Sequence, residues 1–335
     1  MDGVLNVLKP TGMTSFDVVA YIRRLAGVKK VGHCGTLDPA AAGVLPICVG
    51  AATGLSDYLS SSGKSYRAEI LFGVHTDSID LDGAVIRSKR LQGPDRQAIS
   101  RVLSGFVGKQ YQTPPMYSAI KADGKRLYEL ARKGIEVKRE AREVTIYSLR
   151  LVRVMRGRAV IEADCSKGTY IRSLCEDIGK KLGVDACMSF LIRTCASGLR
   201  LNDAYTLEQL GVLGESGRLE DAAIPIENLL AGLPGCILSG SQLNRFMNGV
   251  DIDADTVEPT QHEDPVPPHG MANVALTQGT GRFAMGGGDN GACNENLVKV
   301  FDRNCAFYAL GKVVSVNGQD KLRVKKLFRK IEGIL

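Results

Sequence analysis

Residues 31–50, VGHCGTLDPAAAGVLPICVG, constrain this chain more than any other stretch, because a glycine-punctuated polar loop runs straight into an apolar strand. Gly32, Gly35 and Gly43 let the backbone bend and let another chain approach closely, while Pro39 fixes its own φ and biases Asp38 toward an extended conformation. Val44, Leu45, Ile47, Cys48 and Val49 form a short unbroken apolar run, the pattern of a strand buried on both faces. A carboxylate is therefore carried on a stiff turn with a rigid anchor behind it. Taken alone, an Asp beside Pro and Gly caps a turn by bonding its own backbone. The alternative is a turn that presents the carboxylate for chemistry.

A chain of 335 residues with 44% hydrophobic content holds one large or two ordinary domains with a packed core. Its 43 Lys plus Arg against 36 Asp plus Glu give a net charge of +7, which suits a polyanionic partner without requiring one. The nine Cys include no C-x-x-C pair and the four His show no metal-ligand spacing. Neither a disulfide framework nor a metal site is expected, and free thiols point to the cytoplasm. The opening MDGVLNVLKP is too short and polar for a signal peptide, and no later run is long enough to span a bilayer. Ser61-Ser62-Gly63-Lys64-Ser65 ends like a phosphate-binding loop, but Tyr58 stands where the first glycine is required and a strand follows. Asp77, Asp80 and Asp82 are spaced like the start of a calcium loop, yet the downstream Glu is missing and Gly83 comes too early. They read as turn residues, with Asp80 available to place a neighbouring side chain.

Along the chain, residues 3–8 read as a strand, and Thr14 or Ser15 caps a helix with Phe16, Val19, Ile22 and Ala26 on one apolar face. Residues 51–62 are expected to form a helix. Residues 64–73 alternate as a strand that turns Tyr66, Ala68, Ile70 and Phe72 inward. A helix over 94–106 buries Ile99, Val102, Leu103 and Phe106. Strands at 144–154 and 158–165 follow, then a helix whose Ile171, Leu174, Cys175, Ile178 and Leu182 share a stripe, with Arg172 off it in the first turn. Residues 188–201, with Leu191 and Arg193, form another strand. Between 121 and 158 the chain carries 12 Lys plus Arg against 5 Asp plus Glu, either a solvated charged hairpin or a nucleic-acid contact. After a linker at 233–235, a short helix spans 242–249. Residues 251–270 are acidic and proline-rich, 279–295 are glycine-rich with a triglycine at 286–288 in loop, and strands are expected within 298–328.

GHCGTLDPAAAGVLPICVG resembles the catalytic loop of the TruB family of tRNA pseudouridine synthases, whose pattern is close to GHxGxLDPxAxGVLPxxxG. Lys9-Pro10 with Gly12-Met13-Thr14-Ser15 resembles the KPxGxTS opening that precedes that loop. The segment beginning KSYRAEILFG is similar to the family's KxYxAxxxxGxxTDSxDxxG, PPMYSAIKADGKRLYELAR to its inserted thumb, and CSKGTYIRSLCEDIG to CSxGTYIRxLxxDxG. The resemblance covers residues 3–211 strongly and the rest weakly. It implies that Asp38 is the catalytic aspartate, that His33 enters the RNA fold beside the target nucleotide, and that Tyr66 packs against the target base instead of serving only as a core tyrosine. It further implies that Arg172 pairs with Asp38 rather than forming a surface salt bridge, that Tyr170 lines the base pocket and that Leu191 contacts the nucleotide. Lys121, Lys125, Arg126 and Arg132 become candidates for phosphate contacts, which orient an RNA without reading its sequence. A guanidinium beside Asp38 is expected to lower its pKa by favouring the charged form.

The expected fold is α+β: a pseudouridine synthase catalytic domain over 1–230, with a mixed, mainly antiparallel sheet flanked by helices and a thumb at about 112–143. A small PUA-like β-barrel follows over 236–335, where Lys321, Arg323, Lys325 and Lys326 either touch the acceptor stem or solvate an edge strand. The implied activity is isomerisation of the T-arm uridine at tRNA position 55, without cofactor or metal, by a monomeric enzyme that binds neither DNA nor membrane. Two alternatives stand beside it. A non-catalytic tRNA-binding or tRNA-folding protein needs the thumb and basic C-terminus but not Asp38. A hydrolase using one Asp needs a second carboxylate or metal site at a recognisable spacing, and the sequence offers none.

Overall fold

In the computed structural model the described residues are 1–260 and 296–329, less Leu91, Ala119, Asp123, Arg132 and Ala231. Arg132, the triglycine at 286–288, the glycine-rich stretch 279–295 and residues 261–270 of the proline-rich segment lie outside them.

Strand β1 (Gly3–Lys9) leads into α1 (Ser15–Ala26). Thr14 caps this helix: its hydroxyl accepts from the Asp17 amide at 3.1 Å, and the Asp17 carboxylate accepts from the Thr14 amide at 2.8 Å. The reciprocal pair satisfies two donors that a helix start leaves open. The buried stripe of α1 is Ser15, Val18, Val19 and Ile22, not the expected face that included Phe16, which is 64% exposed. Phe16 lies about 100° of helix rotation from Ser15, and it is the small Ser15 side chain that the fold draws inward.

Strands β2 (Val31–His33) and β3 (Ala42–Val49) pair antiparallel, and β3 also pairs β1. The unbroken apolar run of β3 now has its reason. Leu45, Ile47 and Val49 pack with Val18, Val19 and Ile22 of α1, while Val44 and Cys48 join a second cluster with Leu229, Leu230, Phe307 and Leu310. Residues 51–62 form a 3-10 turn (Gly50–Leu55) and α2 (Ser56–Ser61) instead of one helix. The hydroxyls of Thr53 and Ser56 donate to the carbonyls of Gly50 and Thr53 at 2.8 and 2.9 Å, competing with regular helix bonding.

Next come β4 (Lys64–Phe72), the small pair β5 (Val74–Thr76) and β6 (Val85–Ser88), α3 (Arg96–Ser104) and β7 (Gly108–Gln112). The basic segment folds as a two-stranded ladder, β8 (Lys121–Ala122) with β9 (Lys125–Arg126), followed by α4 (Leu127–Ala131). Then follow β10 (Arg142–Met155), β11 (Arg158–Cys165), α5 (Ile171–Lys181), β12 (Ala186–Ala196), β13 (Leu199–Arg200), α6 (Leu207–Glu215) and β14 (Ala223–Ile224). The large sheet runs β14-β1-β3-β12-β4-β11-β10-β7, with β2 attached to β3 and β13 to β12. It is mixed and mainly antiparallel: along that path only β3 on β12 is parallel. Tyr66, Ala68, Ile70 and Phe72 of β4 point into a core shared with Ile99 and Leu103 of α3 and Leu174, Cys175 and Ile178 of α5.

The remainder holds β15 (Gly235–Ile237), α7 (Gly240–Met247), β16 (Ile252–Asp253), β17 (Glu258–Pro259), β18 (Leu297–Phe301), β19 (Phe307–Val316) and β20 (Gln319–Leu327). They make a PUA-like sheet in the order β16-β20-β19-β18-β15-β17, with Phe246, Val298, Val300, Ala309 and Leu322 in its core. Residues 233–235, expected as a linker, enter β15 directly, and Leu233 is buried in the cluster that joins Val44 and Cys48 to Phe307 and Leu310.

The parallel step is tight. Gly43 has φ +116°, and a Cβ there would collide with the backbone of Arg193, its carbonyl oxygen first. Gly43→Ala is expected to cost about 3 kcal/mol, since backbone strain and overpacking combine. Gly27→Ala, at φ +63° with nothing within 4 Å, is expected to cost about 1 kcal/mol. Urea melts of both variants check the difference, and equal losses would show that the approach of β3 to β12 is not the constraint.

Candidate active site

Residues 34–41, between β2 and β3, are irregular backbone whose carbonyls need donors from elsewhere. Lys9, fully buried, supplies two: its Nζ donates to the carbonyls of Pro39 and Ala41 at 3.2 and 2.7 Å, and its third bond, at 2.8 Å, goes to Pro10 O beside it. The Gly12 amide adds a bond to Pro39 O at 2.9 Å. Ser15 Oγ accepts from the Leu37 amide at 2.9 Å and donates to its carbonyl at 3.1 Å. From below, the buried Arg193 of β12 donates through Nε to Val44 O at 2.7 Å and through Nη2 to Gly35 O at 3.0 Å. The KPxGxTS segment is thus the clamp of the loop that follows it. Sequence reasoning missed these roles of Lys9, Ser15 and Arg193. The available signal was a cation at the end of one largely apolar strand and within another.

The clamped loop presents Asp38, whose side chain is 39% exposed. Its Oδ2 lies 3.0 Å from Nη2 of Arg172, a side chain only 5% exposed. Arg172 stands in the first turn of α5, off the helix's core stripe, and it is buried by what surrounds it. Its Nη1 donates to Ser78 O at 3.2 Å and lies 3.4 Å from Asp80 Oδ2, while Nη2 also donates to Tyr117 O at 2.8 Å. Asp80 does place a neighbouring side chain. Asp80 is itself fixed by Ser78 Oγ and by the Asp82 amide at 3.2 Å. The preceding Ile79 sits at φ +64°, a strained conformation for a β-branched residue.

Beside Asp38 a shallow cleft is lined by Ala40, Ala41, Asp80, Leu81, Asp82, Phe190 and Leu191. Leu191 therefore shares a cleft with the carboxylate. Tyr66 is buried on β4, next to Arg193 and within electrostatic reach of Asp38. Tyr170 caps α5, its amide and carbonyl held by Gln112 at 3.0 and 3.3 Å, and its half-buried phenol lies near Ser118 and Arg172. His33 ends β2 with its ring nearly perpendicular to that of Phe16, the centroids 5.3 Å apart, and its buried Nδ1 has no hydrogen-bond partner. Lys121 and Arg126 are opposite one another in the β8–β9 ladder, where Lys125 is exposed. These three stand on a different element from Asp38, but the root of that element reaches it through Tyr117 and Arg172. On β20, Lys321 pairs with Asp253 of β16 and Arg323 with Asp251 just before it at 2.7 Å, so both are engaged locally.

Arg172 favours the charged form of Asp38 as expected, but burial outweighs it. Burial pushes the Asp38 carboxyl above its ordinary value; Arg172 opposes this, but the like charges of Asp80 and Asp82 add to the rise. Burial lowers Lys9 to about 8 although Asp38 favours its charge. Burial, then Arg193, holds His33 below the usual imidazole value, and burial raises both Tyr66 and Tyr170. Among the described residues no three His, Cys, Asp or Glu side chains are grouped to hold a metal ion, and no helix is long and apolar enough to cross a membrane.

Comparison with known proteins bears on this geometry. The family model described as TruB family pseudouridylate synthase (N terminal domain) matches residues 23–171, and that described as tRNA pseudouridylate synthase B C-terminal domain matches residues 172–231. The chain is 45% identical over 263 residues to the tRNA pseudouridine synthase B of Alkaliphilus oremlandii, covering 78% of this chain and 87% of that protein. To the protein of the same name from Symbiobacterium thermophilum it is 49% identical over 253 residues, 75% of this chain and 83% of that one. Among solved structures it is similar to a chain in the crystal structure of a Cbf5-Nop10-Gar1 complex, with a TM-score of 0.68 and 26% identity over 98% of this chain and 85% of the other. A chain of the archaeal box H/ACA sRNP Nop10-Cbf5 complex shares the fold with a TM-score of 0.65 at 23% identity, over 98% of this chain and 86% of that one.

The raised pKa of Asp38 has a consequence for stability. A carboxyl whose folded-state value exceeds its unfolded one stabilises the fold when protonated; that contribution is complete below about 3.9 and is lost as pH rises through the raised value. Ionisation of Asp38 is therefore opposed by its surroundings at neutral pH, to an extent that the 39% exposure of the side chain reduces. Asp38→Asn is expected to melt at the same temperature as the parent or higher at pH 7, the difference shrinking as pH falls toward 4. A lower melting temperature at pH 7 would show that the Arg172 pair outweighs burial.

Proposed function

This chain belongs to the TruB family of pseudouridylate synthases, and from that premise we propose that it isomerises the T-arm uridine at position 55 of tRNA to pseudouridine, with Asp38 as the catalytic carboxylate. The observation that carries the reading is the setting of Asp38, a partly exposed carboxylate on a loop clamped from two sides and held at one oxygen by the buried Arg172. A non-catalytic RNA binder has no use for that arrangement.

The reaction breaks the N1–C1′ bond, turns the uracil within the site and joins C5 to C1′; the base loses a proton at C5 and gains one at N1, so substrate and product are isomers. Asp38 assists as a carboxylate, either by adding covalently to the sugar or base or by removing a sugar proton to give a glycal. Arg172 fixes its orientation and balances its charge. Tyr66 offers a planar ring to the pyrimidine, where one stack contributes roughly 1–3 kcal/mol, and Tyr170 and Leu191 bound the same space. Extruding the base costs a few kcal/mol, and His33 offsets this by filling the vacated position. Its lowered pKa suits that role, because a neutral ring enters a base stack without carrying a charge out of water. Lys121, Lys125 and Arg126 contact phosphates from the thumb, and residues 236–335 add a second RNA-binding domain to a catalytic one over 1–230. The enzyme acts as a monomer in the cytoplasm, where its substrate is.

Asp38→Asn tests the reading. The amide keeps the volume and the turn but can neither serve as a carboxylate nor pair ionically with Arg172. The variant is expected to form no detectable pseudouridine in a T-arm stem-loop, measured by mass spectrometry of RNA digests, while binding that RNA within a few-fold of the parent. Normal product from a variant checked for deamidation would refute the assignment. For the thumb, Lys125→Ala is expected to weaken RNA binding and lower the slope of log affinity against log salt by about one. An unchanged slope returns Lys125 to a solvated surface.

A further inference from the structure

The first turn of α1 is the best-fixed part of the site, yet it leaves a large apolar ring in solvent. Thr14 and Asp17 close the capping box around it, and Ser15 is bonded twice to Leu37 of the Asp38 loop. Phe16, between them, is 64% exposed and touches its surroundings through an edge-to-face contact with His33, the ring centroids 5.3 Å apart at 79°. The core of α1 is complete without it, since Ser15, Val18, Val19 and Ile22 form the buried stripe. A rigidly mounted aromatic face, open to water beside the residue that would enter a nucleic-acid stack, is the geometry that single-stranded RNA recognition uses, because every base has a π-face to offer.

We propose that Phe16 is a substrate-binding residue, its exposed ring stacking on the nucleobase adjacent to the extruded uridine while its contact with His33 holds that ring in the vacated position. This rests on the RNA-isomerase reading above. His33 and Phe16 then act as one composite wedge: His33, held neutral by burial, fills the gap, and Phe16 caps the neighbouring base that has lost a stacking partner. The two rings stand nearly perpendicular, so one can enter the gap while the other presents its face to a base outside it.

Phe16→Ala, Phe16→Leu and Phe16→Tyr separate stacking from simple coverage of His33. With a T-arm stem-loop as substrate, Phe16→Ala is expected to raise KM about tenfold, within the range of one lost base–aromatic stack. Phe16→Tyr should restore it, whereas Phe16→Leu, apolar but without a π-face, should stay near the alanine value. In parallel, 2-aminopurine placed on either side of the target should be quenched on binding the parent and the Tyr variant, and less so with Ala or Leu. Parent-like KM for Phe16→Ala, or leucine performing as well as tyrosine, overturns the proposal. Because Phe16 is exposed, all three variants should melt with the parent, and a large fall in melting temperature would overturn the claim that the fold does not use it. Failure of the underlying reading shows separately, as absence of pseudouridine from the parent enzyme itself.

Discussion

The site depends on satisfying the carbonyl groups of a loop that no sheet or helix can satisfy. Residues 34–41 turn too sharply for ladder pairing, and a buried carbonyl without a donor costs about as much as a lost hydrogen bond. The fold answers with cations from neighbouring strands. From full burial, Lys9 reaches the loop carbonyls of Pro39 and Ala41, and Arg193 holds that of Gly35 together with Val44 at the start of β3. Burying a cation is expensive, and the depression of Lys9 to about 8 is the mark of that cost. What results is a loop whose backbone position is fixed from two directions before any substrate arrives, which is the preorganisation that a catalytic group needs.

The same burial acts on Asp38. A single guanidinium at 3.0 Å favours the ionised form, but Arg172 is shared with Asp80, and Asp80 and Asp82 repel a further negative charge. The net direction is upward. A carboxylate raised in this way is a better base and nucleophile than one fully neutralised by a dedicated partner, and its ionised form is less stable in the folded protein. The strained Ile79 beside Asp80 points the same way. Strain and desolvation gather around Asp38 and Asp80, while the glycine approach of β3 to β12 and the double-sided core of β3 keep the frame rigid.

Much of this was legible in the sequence because it was written in short strings. The loop pattern marked Asp38, the alternation of β4 marked the inward face of Tyr66, and the apolar run of β3 marked a strand covered on both sides, though not that α1 would cover one face and the C-terminal sheet the other. Phe16 was misplaced because helix periodicity ranks residues by hydrophobicity, and the position that mattered went to Ser15 for its hydroxyl. Lys9 and Arg193 were visible as cations in apolar strands, but their partners are backbone carbonyls, which have no sequence signature. The direction of the Asp38 shift depended on desolvation and on two acids from another turn, quantities that spacing cannot supply.

One atom joins the two halves of the site. Nη2 of Arg172 donates to Tyr117 O at 2.8 Å and pairs with Asp38 at 3.0 Å. Tyr117 lies at the root of the 112–143 segment, whose tip carries the β8–β9 ladder with Lys121, Lys125 and Arg126. A guanidinium is planar and its donors are in fixed directions, so Nη2 cannot follow a shift of the Tyr117 carbonyl without altering its bond to the carboxylate. Tyr170 ties the same region down from the other side, its backbone held by Gln112 where β7 enters the segment. The position of the basic segment and the orientation of Asp38 are therefore not independent variables.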